Sequence, residues 1–154
     1  SEEGRAYKTV DALAEDAAQS GARIAVITGG EPLMHHLDEL TDALRRKKLK
    51  AHLETSGAYQ LTGRWDWICV SPKKFKDALP DAVAVADELK IIVAHKSDLS
   101  WAAAFEEQVK LGCRLLLQPE WSVSDKLLPE IIAYIHRHPQ WGLSLQLHKY
   151  LHIP

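Results

Sequence analysis

The sequence predicts an α/β fold, a partial, abbreviated TIM-like (β/α) barrel with mostly parallel strands. Two patterns carry this. Short Val-, Ile- and Leu-rich runs alternate with stretches of helical periodicity, which implies βαβ units with helices outside a sheet. The apolar runs also finish in polar residues beside Gly or Pro, as strand ends leading into loops do. Six strands and four clear helices fall short of a complete eight-fold barrel.

Thr9 can cap a first helix carrying Val10, Leu13, Ala14, Ala17 and Ala18, which Gly21 ends. Residues 24–28 then read as a buried strand. Leu33, Leu37, Leu40 and Leu44 repeat at four, three and four, one face of a second helix. The basic run 45–48 suits that helix's C-terminal end, where the dipole favours cations. Further strands are expected at 51–55, 67–71, 88–93, 114–118 and 143–147. Helices fit 98–111, closed by Gly112, and 125–137, closed near Pro139, with Pro129 an alternative start for the latter. Residues 73–87 read as short and irregular.

Composition narrows the function classes. The chain has 154 residues, 46% hydrophobic and 26% charged, ordinary values for a soluble globular protein, and is read as one partial-barrel domain over 1–154. Nineteen Lys and Arg against 21 Asp and Glu give a net charge of −2, which disfavours nucleic-acid binding through bulk charge. No apolar run approaches the roughly 18 residues of a membrane span. No basic leader with an apolar stretch opens the chain, and Cys69 and Cys113 lie far apart, so a reducing cytoplasm is expected. No protein metal site is expected: His148 and His152 lack the acid of a zinc helix, and no third ligand is placed. Trp65, Trp67, Trp101, Trp121 and Trp141 are read as packing and interface residues.

In parallel α/β architectures the site lies at the C-terminal ends of the strands. Here those ends read Thr28-Gly29-Gly30-Glu31-Pro32, Glu54-Thr55-Ser56-Gly57, Ser71-Pro72-Lys73, Gln118-Pro119 and Gln146-Leu147-His148-Lys149. Two successive glycines after a strand permit a backbone approach that a Cβ would block. The loop is neither GxGxxG nor a Walker loop, which disfavours a dinucleotide or phosphate cradle.

The run Val26-Ile27-Thr28-Gly29-Gly30-Glu31-Pro32-Leu33 resembles the S-adenosylmethionine-binding loop of radical S-adenosylmethionine enzymes. Three further segments narrow the match: Glu54-Thr55-Ser56-Gly57, Ser71-Pro72-Lys73-Lys74, and the ending from Gln146 to Pro154. In this order they are similar to the 7-carboxy-7-deazaguanine synthase family, from about residue 10 to residue 154. The resemblance implies conversion of 6-carboxytetrahydropterin to 7-carboxy-7-deazaguanine with loss of ammonia, in queuosine and related deazapurine biosynthesis. It implies a [4Fe-4S] cluster, S-adenosylmethionine and Mg2+ in the complete protein. It further implies a homodimer, a pterin substrate and a reductant such as flavodoxin or ferredoxin, with no nucleic-acid or membrane partner. In that family the cluster cleaves the cofactor, whose 5′-deoxyadenosyl radical abstracts a substrate hydrogen before the ring contracts.

Carried over by position, Gly29, Gly30, Glu31, Ser71, Pro72, Lys73 and Gln118 are expected to contact S-adenosylmethionine. Thr28, Glu54, His148 and Pro154 are expected to contact substrate. Glu54 suits the paired donors of a pterin edge, which a carboxylate accepts in bidentate fashion. Each has a plainer reading: Gly30 as a turn residue, Glu31 as an N-terminal helix acid, Lys73 in a surface loop, Glu54 in a salt bridge, His148 as a satisfied structural histidine, and Pro154 as a frayed terminus. The family's CxxxCxxC loop and nearby magnesium ligand match nothing in this sequence. The chain is therefore expected to be a fragment lacking the first strand and cluster loop, with no catalytic residue of its own and no radical activity alone. The competing readings are another radical S-adenosylmethionine protein, such as a glycyl-radical activating enzyme, and a non-catalytic binding domain. The ending QLHKYLHIP argues against an activating enzyme.

Residues 1–154 reconstituted with iron and sulfide should hold no stable [4Fe-4S] centre, because thiolates at suitable spacing are absent. Stoichiometric cluster absorbance from this polypeptide would contradict that.

Overall fold

Six parallel strands pair strictly in chain order, forming one sheet β1-β2-β3-β4-β5-β6. The computed structural model describes residues 8–151. The strands are β1 Ile24–Ile27, β2 Lys50–Thr55, β3 Trp67–Val70, β4 Glu88–Val93, β5 Arg114–Pro119 and β6 Trp141–Leu143. The helices are α1 Val10–Gln19, α2 Asp38–Arg46, α3 Pro80–Ala84, α4 Asp98–Ala103, α5 Ser124–Arg137 and α6 Leu147–Tyr150. Parallel pairing requires a crossover after every strand, so all six C-terminal ends meet on one rim.

The alternation along each strand sorts the two faces. Leu53, Leu89, Ile91, Val93 and Leu117 are fully buried beneath the helices. The intervening residues, His52, Glu54, Lys90, Ile92, Leu116 and Gln118, are half-buried on the opposite face. That concave face is the interior of the partial barrel. A second cluster of Ala14, Ala43, Leu44, Leu49 and Ala51 seats α1 and α2 over the β1–β2 end.

Local structure departs from the sequence expectation in four places. The expected helix 33–44 is broken: Pro32–Met34 forms a 3-10 turn, His35 is extended, and α2 starts at Asp38. The break is held from outside, since Thr62 Oγ1 accepts from Leu37 N at 3.2 Å and donates to the His35 carbonyl at 3.4 Å. Leu33, Leu37 and Leu44 remain buried, so the leucine spacing marks one core face across the interruption. The expected helix 98–111 ends at Ala103 and relaxes into three-residue turns. Glu106, just beyond, accepts from the buried Trp141 indole at 2.6 Å and from Gln140 at 3.0 Å.

The last strand is Trp141–Leu143 rather than 143–147. Trp141 is almost fully buried, and Trp141, Gly142 and Leu143 register with Leu115, Leu116 and Leu117. The chain then turns into α6, so His148 lies in a helical turn and not at a strand end. Residues 73–87, expected to be irregular, contain α3, with Pro80 in its first turn. Helix α5 begins at Ser124 and carries Pro129 internally. Among the described residues no helix is long and apolar enough to cross a membrane.

Candidate functional site

The rim is tied together by side chains whose partners lie on neighbouring strands. After β1, Gly29 and Gly30 take φ values of 90° and 56°, a left-handed pair open to glycine without strain. The turn they form swings Glu31 back across the sheet. Its Oε1 accepts from Thr55 Oγ1 at 2.5 Å and Leu33 N at 3.2 Å. Its Oε2 accepts from Ser56 N at 2.8 Å and from the Ser56 hydroxyl. Burial acts to raise the Glu31 pKa, but the Ser56 and Thr55 hydroxyls and the Ser56 and Leu33 amides outweigh it and hold the carboxyl below its ordinary value. A carboxylate has about four acceptor sites, and these four donors fill them.

A cleft of about 220 Å³ opens between the ends of β1–β4, lined by Thr28, Gly30, Glu31, Glu54, Thr55, Ser56, Ser71, Lys73, Lys90 and Ile92. Ser71 is buried, and its Oγ has no hydrogen-bond partner among the described residues. An unpaired buried hydroxyl costs about 1–3 kcal/mol, so a polar ligand group reaching it would recover that energy. On the concave floor, Lys90 Nζ donates to Glu54 Oε2 at 2.7 Å across β3. Burial lowers the Lys90 pKa, but the bond to Glu54 and nearby negative charge win, and the ammonium is held above its ordinary value. Between them, Cys69 is buried and its thiol pushed far up, chiefly by burial, so it stays protonated.

Two loops beside the cleft are joined in the same way. Lys74 of the loop after β3 pairs with Asp98, which is 2% exposed. Asp98 also accepts from Ala94 N at 2.8 Å and His95 N at 3.0 Å. Burial opposes its charge, yet Lys74 and these amides hold its pKa below the ordinary carboxylate value. This clamp fixes the path of Ser71-Pro72-Lys73.

No protein-family model matches the chain. The 7-carboxy-7-deazaguanine synthase of Flavobacterium psychrophilum is 44% identical over 144 residues, 94% of this chain and 68% of that protein. The enzyme of the same name from Synechocystis sp. is 47% identical over 146 residues, covering 94% and 69%. The chain belongs to the 7-carboxy-7-deazaguanine synthase family. The crystal structure of QueE from Escherichia coli superposes with a TM-score of 0.77 at 30% identity, over 90% of this chain and 64% of that one. The partial TIM-like barrel architecture is thus shared with a solved structure, of which this chain spans somewhat under two thirds.

Within this synthase-family chain, the fold brings together six of the residues singled out from sequence: Thr28, Gly30, Glu31, Glu54, Ser71 and Lys73. Gly29 lines an adjoining groove with Thr28, Gly30 and Glu31. Pro72 and Lys73 border a second small cleft against Trp101 and Phe105. Gln118 and His148 line none of these. Gln118 instead accepts from Ser144 Oγ at 3.0 Å, tying β5 to the chain after β6. His148 sits on α6, anchored where Tyr150 meets Trp121 edge-on at 5.0 Å and Lys149 lies over the Trp121 ring at 5.1 Å. Pro154 lies outside the described residues. Lys90, Thr55 and Ser56 went unassigned at the sequence level. A lysine at an inward position of the otherwise apolar run Leu89–Val93 was the available signal for the first.

The residues fit S-adenosylmethionine: Ser71, whose buried hydroxyl has no partner among the described residues, lines a cleft shared with a glycine turn that has open space before it. They do not fit an iron–sulfur cluster. Among the described residues, no group of three or more His, Cys, Asp or Glu is placed to hold a metal.

The two kinds of glycine on the rim should respond differently to alanine. Gly57 has φ of 74°, and a Cβ there would lie 2.9 Å from Val70 Cγ1 and 3.3 Å from Ala78 Cβ. Gly57→Ala should therefore cost about 2–5 kcal/mol, from left-handed strain plus overpacking. A Cβ on Gly30 meets nothing within 4 Å, so Gly30→Ala should cost only about 1–2 kcal/mol. Urea midpoints of the two variants check this; equal losses would contradict the packing difference.

Proposed function

We propose that the complete protein is a radical S-adenosylmethionine enzyme that converts 6-carboxytetrahydropterin to 7-carboxy-7-deazaguanine with loss of ammonia. The observation carrying this reading is the cleft between the β1–β4 ends, where the Gly30 turn, the orphan Ser71 hydroxyl and the Glu54 carboxylate converge. S-adenosylmethionine, when bound, supplies radical initiation. This chain's residues bind and orient. The main chain of Gly29 and Gly30 lies against the methionyl part, and Ser71, Pro72 and Lys73 form the second wall. Glu31, with all four acceptor sites filled by this chain, serves the cofactor by fixing the glycine turn to Thr55 and Ser56.

Substrate meets Thr28 and Glu54. The pterin N–H and amino group donate to the Glu54 carboxylate, which the bond from Lys90 orients. Among the described residues no group of three or more His, Cys, Asp or Glu is placed to hold the [4Fe-4S] cluster or Mg2+. A homodimer, a flavodoxin or ferredoxin reductant, and a cytoplasmic setting complete the proposal.

With S-adenosylmethionine and reductant, the complete protein should turn 6-carboxytetrahydropterin into 7-carboxy-7-deazaguanine, detected by mass spectrometry. Gly30→Val in the same protein should weaken equilibrium binding of S-adenosylmethionine by roughly tenfold or more, since the branched side chain enters the cleft. Unchanged affinity in a folded variant would reduce Gly30 to a turn residue.

A further inference from the structure

The half-buried charges on the concave floor are more ordered than a ligand pocket alone requires. Glu54 on β2 registers with Cys69 on β3, and Cys69 with Glu88 on β4. Lys90 stands two residues beyond Glu88, on the same inward face and one pleat nearer the rim. From there its side chain, 17% exposed, crosses β3 diagonally to Glu54. Glu88 is occupied otherwise: it accepts from Cys69 Sγ at 3.4 Å and lies 4.0 Å from Arg114 of β5. The ammonium thus takes Glu54 Oε2, while Glu54 Oε1 has no donor among the described residues. Both Glu54 and Lys90 line the cleft.

We propose that Lys90 is a positioning residue that sets selectivity for a ligand carrying an adjacent N–H and amino group. It does so by tethering Glu54 Oε2, which leaves Oε1 turned toward that edge. This rests on the reading of Glu54 as the acceptor of the substrate's pterin edge.

The physical case is one of charge and direction. A ligand with two adjacent donors needs a carboxylate oxygen already aimed at them, and ordering a free side chain on binding costs affinity. The other charged and titratable groups around Glu54 supply no such tether. Cys69 is a neutral thiol, Glu88 is a like charge answered by Arg114, and Glu31 is a second acid on the cleft wall. Lys73 lines the rim of the cleft and has no carboxylate partner among the described residues. Lys90 alone among the described residues donates to Glu54. A residue at position 90 that cannot donate to Oε2 leaves Glu54 without a tether among the described residues and free to rotate.

The test uses the complete protein and two probes, 7-carboxy-7-deazaguanine and the analogue lacking its 2-amino group, measured by calorimetry beside S-adenosylmethionine. The native protein should prefer the amino-bearing probe. Lys90→Gln and Lys90→Met should reduce that preference by roughly tenfold, the loss of one charge-assisted contact. Binding of S-adenosylmethionine should stay within about twofold, while the deamino probe, which keeps the ring N–H, should lose less affinity than the amino-bearing one. Lys90→Arg should restore most of the preference. A purely structural lysine would instead lower thermal stability and weaken all three ligands alike, which would overturn the proposal. Glu54→Gln separates the two levels. If it abolishes the preference and both Lys90 variants keep it, Lys90 has no such role. If Glu54→Gln also keeps it, the reading of Glu54 itself fails.

Discussion

One carboxylate, that of Glu31, holds the rim on which the site depends. A parallel sheet delivers its strand ends to one edge but does not lock the loops there. Glu31 locks two of them by accepting both hydroxyls and one amide from Thr55 and Ser56, together with Leu33 N. It can reach them only because Gly29 and Gly30 turn through left-handed backbone, which side chains with a Cβ resist. The same device recurs around the rim. Asp98 binds Lys74 and two amides, Lys90 binds Glu54, and Gln118 binds Ser144. Each tie satisfies a polar group that the crowded strand ends would otherwise bury unpaired, so rigidity at the cleft follows from hydrogen-bond satisfaction.

Ser71 stands apart from this pattern. Its neighbours are paired while its own hydroxyl is not, although its backbone N donates to the Thr55 carbonyl at 2.7 Å. The backbone of Ser71 is therefore fixed in place while its hydroxyl keeps its bonding capacity unspent. That is the arrangement expected of a group preorganised for a ligand, because the energy of ordering it has been met by the fold.

The first five strands were legible because parallel strands buried on the helix side read as short apolar runs. Glu88–Val93 was expected with the boundaries it has. The clustering of Thr28, Gly30, Glu54 and Ser71 was legible because chain-order pairing of strands brings their ends together. What escaped the sequence was set by contacts distant along the chain. Thr62 breaks the helix expected at 33–44, and Trp141, held by Glu106, draws the last strand two residues early. That shift carries His148 onto α6 beside Trp121 instead of to the cleft. Lys90 was overlooked for a related reason. Its meaning lies in a partner 36 positions away on a strand that is not its neighbour.

The most direct measurement of the account is a crystal structure of the complete protein with S-adenosylmethionine bound. The cofactor should lie in the cleft between the β1–β4 ends, in contact with the Gly30 main chain and hydrogen-bonded to Ser71 Oγ, while Glu31 keeps its bonds to Thr55 and Ser56. A cofactor bound elsewhere, with Ser71 Oγ still unpartnered, would contradict it.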